Sequence, residues 1–258
     1  MTMRMIPLAL AVAAALPLSA AFASGESTEL RKVEWSFEGV FGGYDRAQLQ
    51  RGFLVYKDVC SACHGLKLLS YRNLGQPGGP EFPEAAVKAI AASVQVPSLT
   101  DDGEPTTRPG TPADRFLDPY ANEKAARSVN NGALPPDLSV MTKARLDGVN
   151  YVYSILTGYA DAPADMTMNV GMNYNLYFAG HQIAMPAPLV VDGQVTYADG
   201  TPATIDQMAK DVSAFLAWAA EPKLEERKSL GFKVILFLAA LTALLYLSYK
   251  RLWRDIEH

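Results

Sequence analysis

Apolar residues return at helical intervals in several stretches of this chain, and polar, proline-rich segments part them. Across residues 44–60, Leu49, Phe53, Tyr56 and Val59 share one face, so the pattern predicts a helix running straight into the cysteines of "VYKDVCSACHG". A second helix is predicted over 83–96, opened by Pro83. Residues 97–119 are rich in Pro, Thr, Asp and Gly and read as a long surface loop. A third helix follows near 118–130 and ends at "NNG", with Gly132 as its cap. Another covers 147–158, between Asp147 as candidate cap and Gly158 as stop.

Residues 159–188 show little periodicity. "LVVDGQVTYADG" is expected to form a small hairpin around Asp192-Gly193. The last amphipathic helix, 201–222, has Thr204 as cap and Pro222 as stop, with Ile205, Met208, Val212, Phe215, Leu216 and Trp218 turned inward. No repeats or low-complexity tracts interrupt this order.

Two longer apolar runs stand at the ends. The first has Arg4 in a short positive leader, an Ala/Leu-rich middle and "AFA" at 21–23, the order of a secretory signal cleaved after Ala23. The second, 230–249, would span roughly 28 Å as a helix, close to the ~30 Å hydrocarbon layer of a bilayer. Lys233 lies near its start, Tyr246 and Tyr249 near its end, and "KRLWR" follows. These features divide the chain into a leader (1–23), an exported domain (24–228), a transmembrane anchor (229–250) and a cytoplasmic tail (251–258). Arg227 and Lys228 precede the span and Lys250, Arg251 and Arg254 follow it, so flanking charge alone is ambiguous. The signal decides the orientation, placing the domain on the periplasmic side of a bacterial inner membrane.

The exported part carries 18 Lys and Arg against 25 Asp and Glu, a net charge of −7. That balance excludes a broad nucleic-acid-binding face and favours basic partners.

The chemistry gathers at Cys60-Ser61-Ala62-Cys63-His64, which holds both cysteines and one of the three histidines. A thiol redox pair would want a thioredoxin-like alternation of strands and helices, which is missing. Zinc would want further Cys or His at metal spacing, and His181 and His258 do not supply it. A c-type haem attachment fits: thiols at i and i+3 can each add to a haem vinyl group, and the next residue offers an imidazole to the iron. Cys60 and Cys63 are then the thioether anchors of one haem c and His64 its proximal ligand.

A filled second axial position means electron transfer, whereas an open one permits ligand binding. Of nine methionines, Met1, Met3 and Met5 leave with the signal, and Met141 and Met208 read as core. Met185, stiffened by Pro186 and Pro188, leads the candidates. Met166, Met168, Met172 and His181 stay open as alternatives.

At this point the chain resembles the cytochrome c1 family, the haem-bearing subunits of ubiquinol–cytochrome c oxidoreductase (respiratory complex III). The resemblance rests on "VYKDVCSACHGLKLLSYRNL", "NNGALPPDLS", "DGTPATIDQMAKDVSAFLAWAAEPK" and the anchor ending "KRLWRD". It implies His64 and Met185 as axial ligands, Arg145 paired with a haem propionate with Tyr151 nearby, and Pro135 and Pro136 along the haem edge. It also implies a mainly α c-type cytochrome domain with long loops and one C-terminal transmembrane helix, seated beside a cytochrome b subunit in a dimeric complex. The expected function is one-electron relay from a Rieske iron–sulfur protein to a soluble cytochrome c, with no bond-making chemistry of its own. Asp101, Asp102 and Glu104, or Glu81 and Glu84, are candidates to steer a lysine-rich acceptor. Some bacterial members carry a disulfide, which both cysteines' commitment to haem rules out here. The rival readings are a free-standing, membrane-tethered cytochrome c donating to an oxidase, and a haem enzyme or gas sensor with an open iron site.

Overall fold

The computed structural model describes residues 28–255; the predicted leader and the last three residues of the tail lie outside the described residues. The first helix, α1 (Arg46–Val55), begins where the Asp45 carboxylate accepts the Gln48 N–H. It reaches the cysteines as expected, but with a wider last turn. Over Tyr56–Cys60 the backbone is a π-helix, and the Ser61 N–H bonds back to the Tyr56 carbonyl at 2.8 Å. Such single π turns sit at functional sites because they displace the following side chains from the regular helical register.

The longest helix of the globular part, α5 (Ile205–Ala220), is capped by Thr204, whose hydroxyl accepts the Gln207 N–H at 3.1 Å. Met208, Val212, Phe215, Leu216 and Trp218 are buried, as their spacing predicts. Helix α1 crosses α5 at Gly52, where a Cβ would come within 2.1 Å of the Asp211 carbonyl oxygen and 2.7 Å of the Phe215 Cβ. Next to this contact Arg51 Nε lies 2.9 Å from the fully buried Asp211 carboxylate, which also accepts Gln207 Nε2 at 2.8 Å. Leu49, Phe53, Val55 and Tyr56 complete the core against Phe215 and Trp218.

Helix α4 (Gly148–Thr157) packs on α5 from another side. An N-terminal strap runs along it: buried Asn150 accepts the Val33 N–H and Trp35 Nε1–H, and buried Ser154 accepts the Arg31 N–H. Helix α2 (Glu84–Ala92) follows Pro83, and α3 (Glu123–Val129) is capped by Asn122. Both are shorter than their patterns predict. Gly132, at φ +86°, returns its N–H to the Arg127 carbonyl at 2.8 Å beyond the end of α3.

Two loop expectations need correction. The predicted loop 97–119 contains part of an antiparallel hairpin, β1 (Gln95–Leu99) with β2 (Pro105–Pro109). Prolines concealed it. In a two-stranded sheet both strands are edges, where a missing N–H is tolerated. The hairpin expected around Asp192-Gly193 does not form. Its groups are committed to the start of α5 instead: Asp192 accepts the Ile205 N–H and the Gly193 N–H reaches the Ala203 carbonyl. Asp147 precedes α4 as predicted but at φ +50° with no side-chain cap; its carboxylate takes Lys32 and Asn150.

After Pro222 the chain enters α6 (Leu224–Leu252), 29 residues or about 44 Å long. It is apolar and long enough to cross a membrane, with none of its most apolar stretch buried in the protein. Arg46 grips its first turn, with Nη1 and Nη2 each 2.7 Å from a carboxylate oxygen of Glu225.

The helix crossing makes a direct prediction. Gly52→Ala forces α1 off the α5 backbone and lowers stability by about 1–3 kcal/mol, the usual cost of overpacking. Denaturant unfolding checks it; an unchanged midpoint would mean that the contact is loose.

Candidate haem site

The site begins at the π turn. Cys60 closes it, and the Cys63 and His64 N–H groups both return to the Cys60 carbonyl, at 3.1 and 2.9 Å. The two thiols and the imidazole therefore sit on one tight turn. Cys60 is half-buried and Cys63 exposed, and both thiols are free. Burial, with Cys63 adding to it, pushes the Cys60 thiol up to about 12. A thiol so far from ionising is a poor nucleophile for disulfide exchange. Among the described residues there is also no group of three or more His, Cys, Asp or Glu placed to hold a metal ion by themselves.

His64 is fixed by a segment 72 residues away. Its Nδ1 lies 2.7 Å from the Pro136 carbonyl. Nδ1–H donates to that oxygen, which leaves the Nε2 lone pair for a metal. Burial keeps the ring's pKa below the ordinary histidine value, although the Pro136 carbonyl and Asp137 pull the other way. The neutral ring is the form a metal requires.

The contact belongs to a longer seam. The Leu138 N–H bonds to the Gly65 carbonyl at 2.9 Å, the Lys67 N–H to Asp137, and the Leu68 N–H to Ser139 Oγ. "PPDLS" is thus laced along "HGLKL". A Cβ at Gly65 would meet Asp118 Oδ1 at 2.2 Å, so a side chain there would push that exposed carboxylate aside. From the helix side, the Tyr56 hydroxyl donates to the His64 carbonyl at 3.0 Å. Burial raises the Tyr56 pKa, so the phenol keeps its proton.

The structure thereby brings His64 together with Pro136. It also sets the exposed Arg145 guanidinium 5.9 Å from the centroid of the Tyr151 ring. Pro135 is half-buried beside the seam and Pro136 is exposed.

Hydrogen bonds tie Met185 to different partners. Its carbonyl accepts the Tyr159 hydroxyl at 3.0 Å and Asn173 Nδ2 at 3.4 Å. It follows a two-residue strand, β4 (Gln182–Ile183), paired with β3 (Asn173–Tyr174). Met166, Met168 and Met172 are half-buried in the mostly exposed segment before β3. His181 sits at φ +58° with Nδ1 buried and unpartnered, its ring 5.7 Å from that of Tyr174.

Sequence reasoning missed Tyr159 and Asn173, and the role of Tyr56 as a donor. Their contacts span 8 to 26 residues and leave no periodic trace. The donor set fits a covalently attached haem: two thiols on one turn, followed by an imidazole whose Nδ1 is occupied and whose Nε2 is not.

Comparison with known proteins agrees. The model of the Cytochrome C1 family matches residues 35–256. The chain is 50% identical over 256 residues to cytochrome c1 of Rhodospirillum rubrum, covering 93% of each chain. It is 43% identical to cytochrome c1 of Blastochloris viridis, covering 95% of this chain and 92% of that one. It is also 50% identical over 225 residues to a mitochondrial cytochrome c1 haem protein of Arabidopsis thaliana, covering 87% and 72%.

Tyr56→Phe removes the donor to the His64 carbonyl and leaves that part-buried acceptor without it. We expect a loss of about 1 kcal/mol, read as a lower denaturant midpoint at unchanged slope.

Proposed function

The chain belongs to the cytochrome c1 family, and from that premise we propose that it takes one electron from a Rieske iron–sulfur protein and passes it to a soluble cytochrome c. The family binds covalent haem c and works as the haem electron carrier of complex III; Cys60 and Cys63 carry the attachment spacing. When bound, haem supplies a one-electron iron couple. Cys60 and Cys63 would anchor it and His64 would offer Nε2 to its iron. Met185 would offer its thioether as the second ligand, which suits the soft iron and would raise the potential above that of a second imidazole. Arg145 pairs with a propionate, and Tyr151 supports the guanidinium face. Pro135 and Pro136 line the edge.

The observation that carries this reading is the His64–Pro136 bond. It holds the imidazole in one tautomer and one orientation without using the metal-binding nitrogen. A ligand held from behind changes little between oxidised and reduced iron, so reorganisation opposes transfer less.

Residues 1–23 act as the cleaved leader, 24–228 as the periplasmic domain, 229–250 as the span and 251–258 as the cytoplasmic tail. The domain then stands beside a cytochrome b subunit in a dimeric complex. Among the acidic candidates, Glu81 is engaged by Arg46 at 2.8 Å and Glu84 by Lys88 at 2.6 Å. Asp101, Asp102 and Glu104, exposed at the tip of the β1–β2 hairpin, are the freer set to steer a basic acceptor. The free-standing tethered cytochrome is not favoured, because the match to complex III subunits runs through the anchor to residue 256.

Two experiments test the proposal. Purification in mild detergent should bring b-type haems and an iron–sulfur protein with the c haem, and quinol should reduce added cytochrome c. A c haem arriving alone, without that activity, would leave the tethered shuttle. Met185→Leu should open the iron to carbon monoxide, and Tyr159→Phe should admit it to a smaller fraction by releasing the Met185 carbonyl. A Met185→Leu protein that still excludes carbon monoxide would return the ligand to Met166, Met168, Met172 or His181.

A further inference from the structure

The loop before α1 shows a feature that electron transfer does not use. Val40 and Phe41 are 66% and 84% exposed, two adjacent apolar side chains at the tip of a short turn. The turn is held firmly. Lys228 Nζ donates to the carbonyls of Phe37, Gly39 and Gly42 at 2.7, 2.6 and 3.0 Å. On its far side, Glu225 accepts the Tyr44 N–H at 2.7 Å. Both clamps come from the first turns of α6. The backbone of this loop is therefore fastened to the anchor, while its apolar tip is left bare.

Where the tip lies relative to the apolar run decides what can cover it. The Phe41 ring packs edge-on against Phe232, with centroids 5.8 Å apart. Phe232 is two residues into the apolar run that begins at Leu230, about 3 Å along the helix. Lys233, one residue further, can carry its ammonium outward from that depth. With Leu230 as the first residue in the hydrocarbon, Phe41 would stand level with the boundary between headgroups and hydrocarbon. A cleft of about 410 Å³ opens between loop and helix at this level, lined by Val40, Phe41, Lys228, Phe232 and Lys233. Phenylalanines beside a lysine that can carry its charge outward are side chains of the kind interfacial segments use.

We propose that the Val40–Phe41 tip is a second membrane contact, inserted into the outer interfacial layer of the lipid beside α6. The proposal rests on α6 being the membrane anchor. One helix alone leaves a domain free to tilt and swivel about it. A second contact, offset from the helix axis and clamped to it by Lys228 and Glu225, fixes the height and lean of the haem domain over the bilayer. The occupant is lipid, because the exposed tip meets the apolar span at Phe232 and the Val40 and Phe41 side chains are otherwise left bare.

The haem-loaded full chain, reconstituted in phosphatidylcholine vesicles, provides the test. Its native thiols are consumed by haem, so a spin label at Phe41→Cys is unique, and Val40→Cys gives an independent second site. Collision with oxygen and with a water-soluble nickel chelate is then measured. Val170→Cys on the exposed surface and Leu238→Cys in mid-span are the references. Lipid insertion predicts frequent oxygen collisions and chelate collisions several-fold rarer than at Val170→Cys, at both tip sites. Chelate access equal to that of Val170→Cys, with Leu238→Cys still shielded, overturns the second contact and leaves the anchor standing. If the Leu238→Cys label is itself open to chelate, the anchor reading fails, and the proposal with it. Loss of both oxygen and chelate collisions would mean burial in the cleft. Shielding that arises only in the assembled complex would assign the tip to a protein neighbour. Either result also overturns the proposal.

Discussion

The close crossing of α1 over α5 is the constraint from which the remainder of the molecule follows. At Gly52 the two backbones approach so nearly that no Cβ fits between them, and at the same crossing the half-buried Arg51 reaches the fully buried Asp211. A buried carboxylate is tolerable only when its oxygens are engaged, and here Arg51 and Gln207 engage both. This ion pair also fixes register. Sliding α1 along α5 by one turn would strand Asp211 without its guanidinium. The C-terminal end of α1 carries the haem attachment motif, and the C-terminal end of α5 leads into the membrane helix. One crossing therefore sets where the redox centre stands relative to the bilayer. Arg46, one turn earlier on α1, repeats the connection by gripping Glu225 at the base of α6.

Electron transfer asks a protein to hold its iron ligands still rather than to move them. The proximal side is built that way. The His64 ring is held by Pro136, its backbone by Tyr56, and the residues on either side of these bonds by the Gly65–Leu138 seam. Proline suits this place, since it fixes its own φ and presents a carbonyl while having no N–H to satisfy. The Met185 side is tied more lightly, through its carbonyl to Tyr159 and Asn173. No disulfide shares that load, because the only two cysteines lie in the attachment motif. In the proposed ligation the softer side is therefore that of Met185, where access of solvent and loop stability would tune a haem potential.

What the sequence determined by itself is what depends on neighbours along the chain. Cys60, Cys63 and His64 lie within five residues, so the attachment motif is complete in one dimension. The inward face of α5, its Thr204 cap and its stop at Pro222 follow from a 3.6-residue period and end signals, as does the apolar length of α6. The β1–β2 hairpin was hidden because Pro97, Pro105 and Pro109 imitate a loop and are tolerated only at sheet edges. The hairpin expected at Asp192-Gly193 failed because its turn residues found better partners at the start of α5. Only the tertiary structure decided that Pro136 holds His64, that Tyr159 and Asn173 hold Met185, that Gly52 is a crossing point and that Phe41 lies against the membrane helix. Each of these joins residues 12 to 191 positions apart. Such contacts carry no periodicity, and they exist only once burial has brought distant segments within the 3 to 6 Å over which hydrogen bonds and ring contacts act.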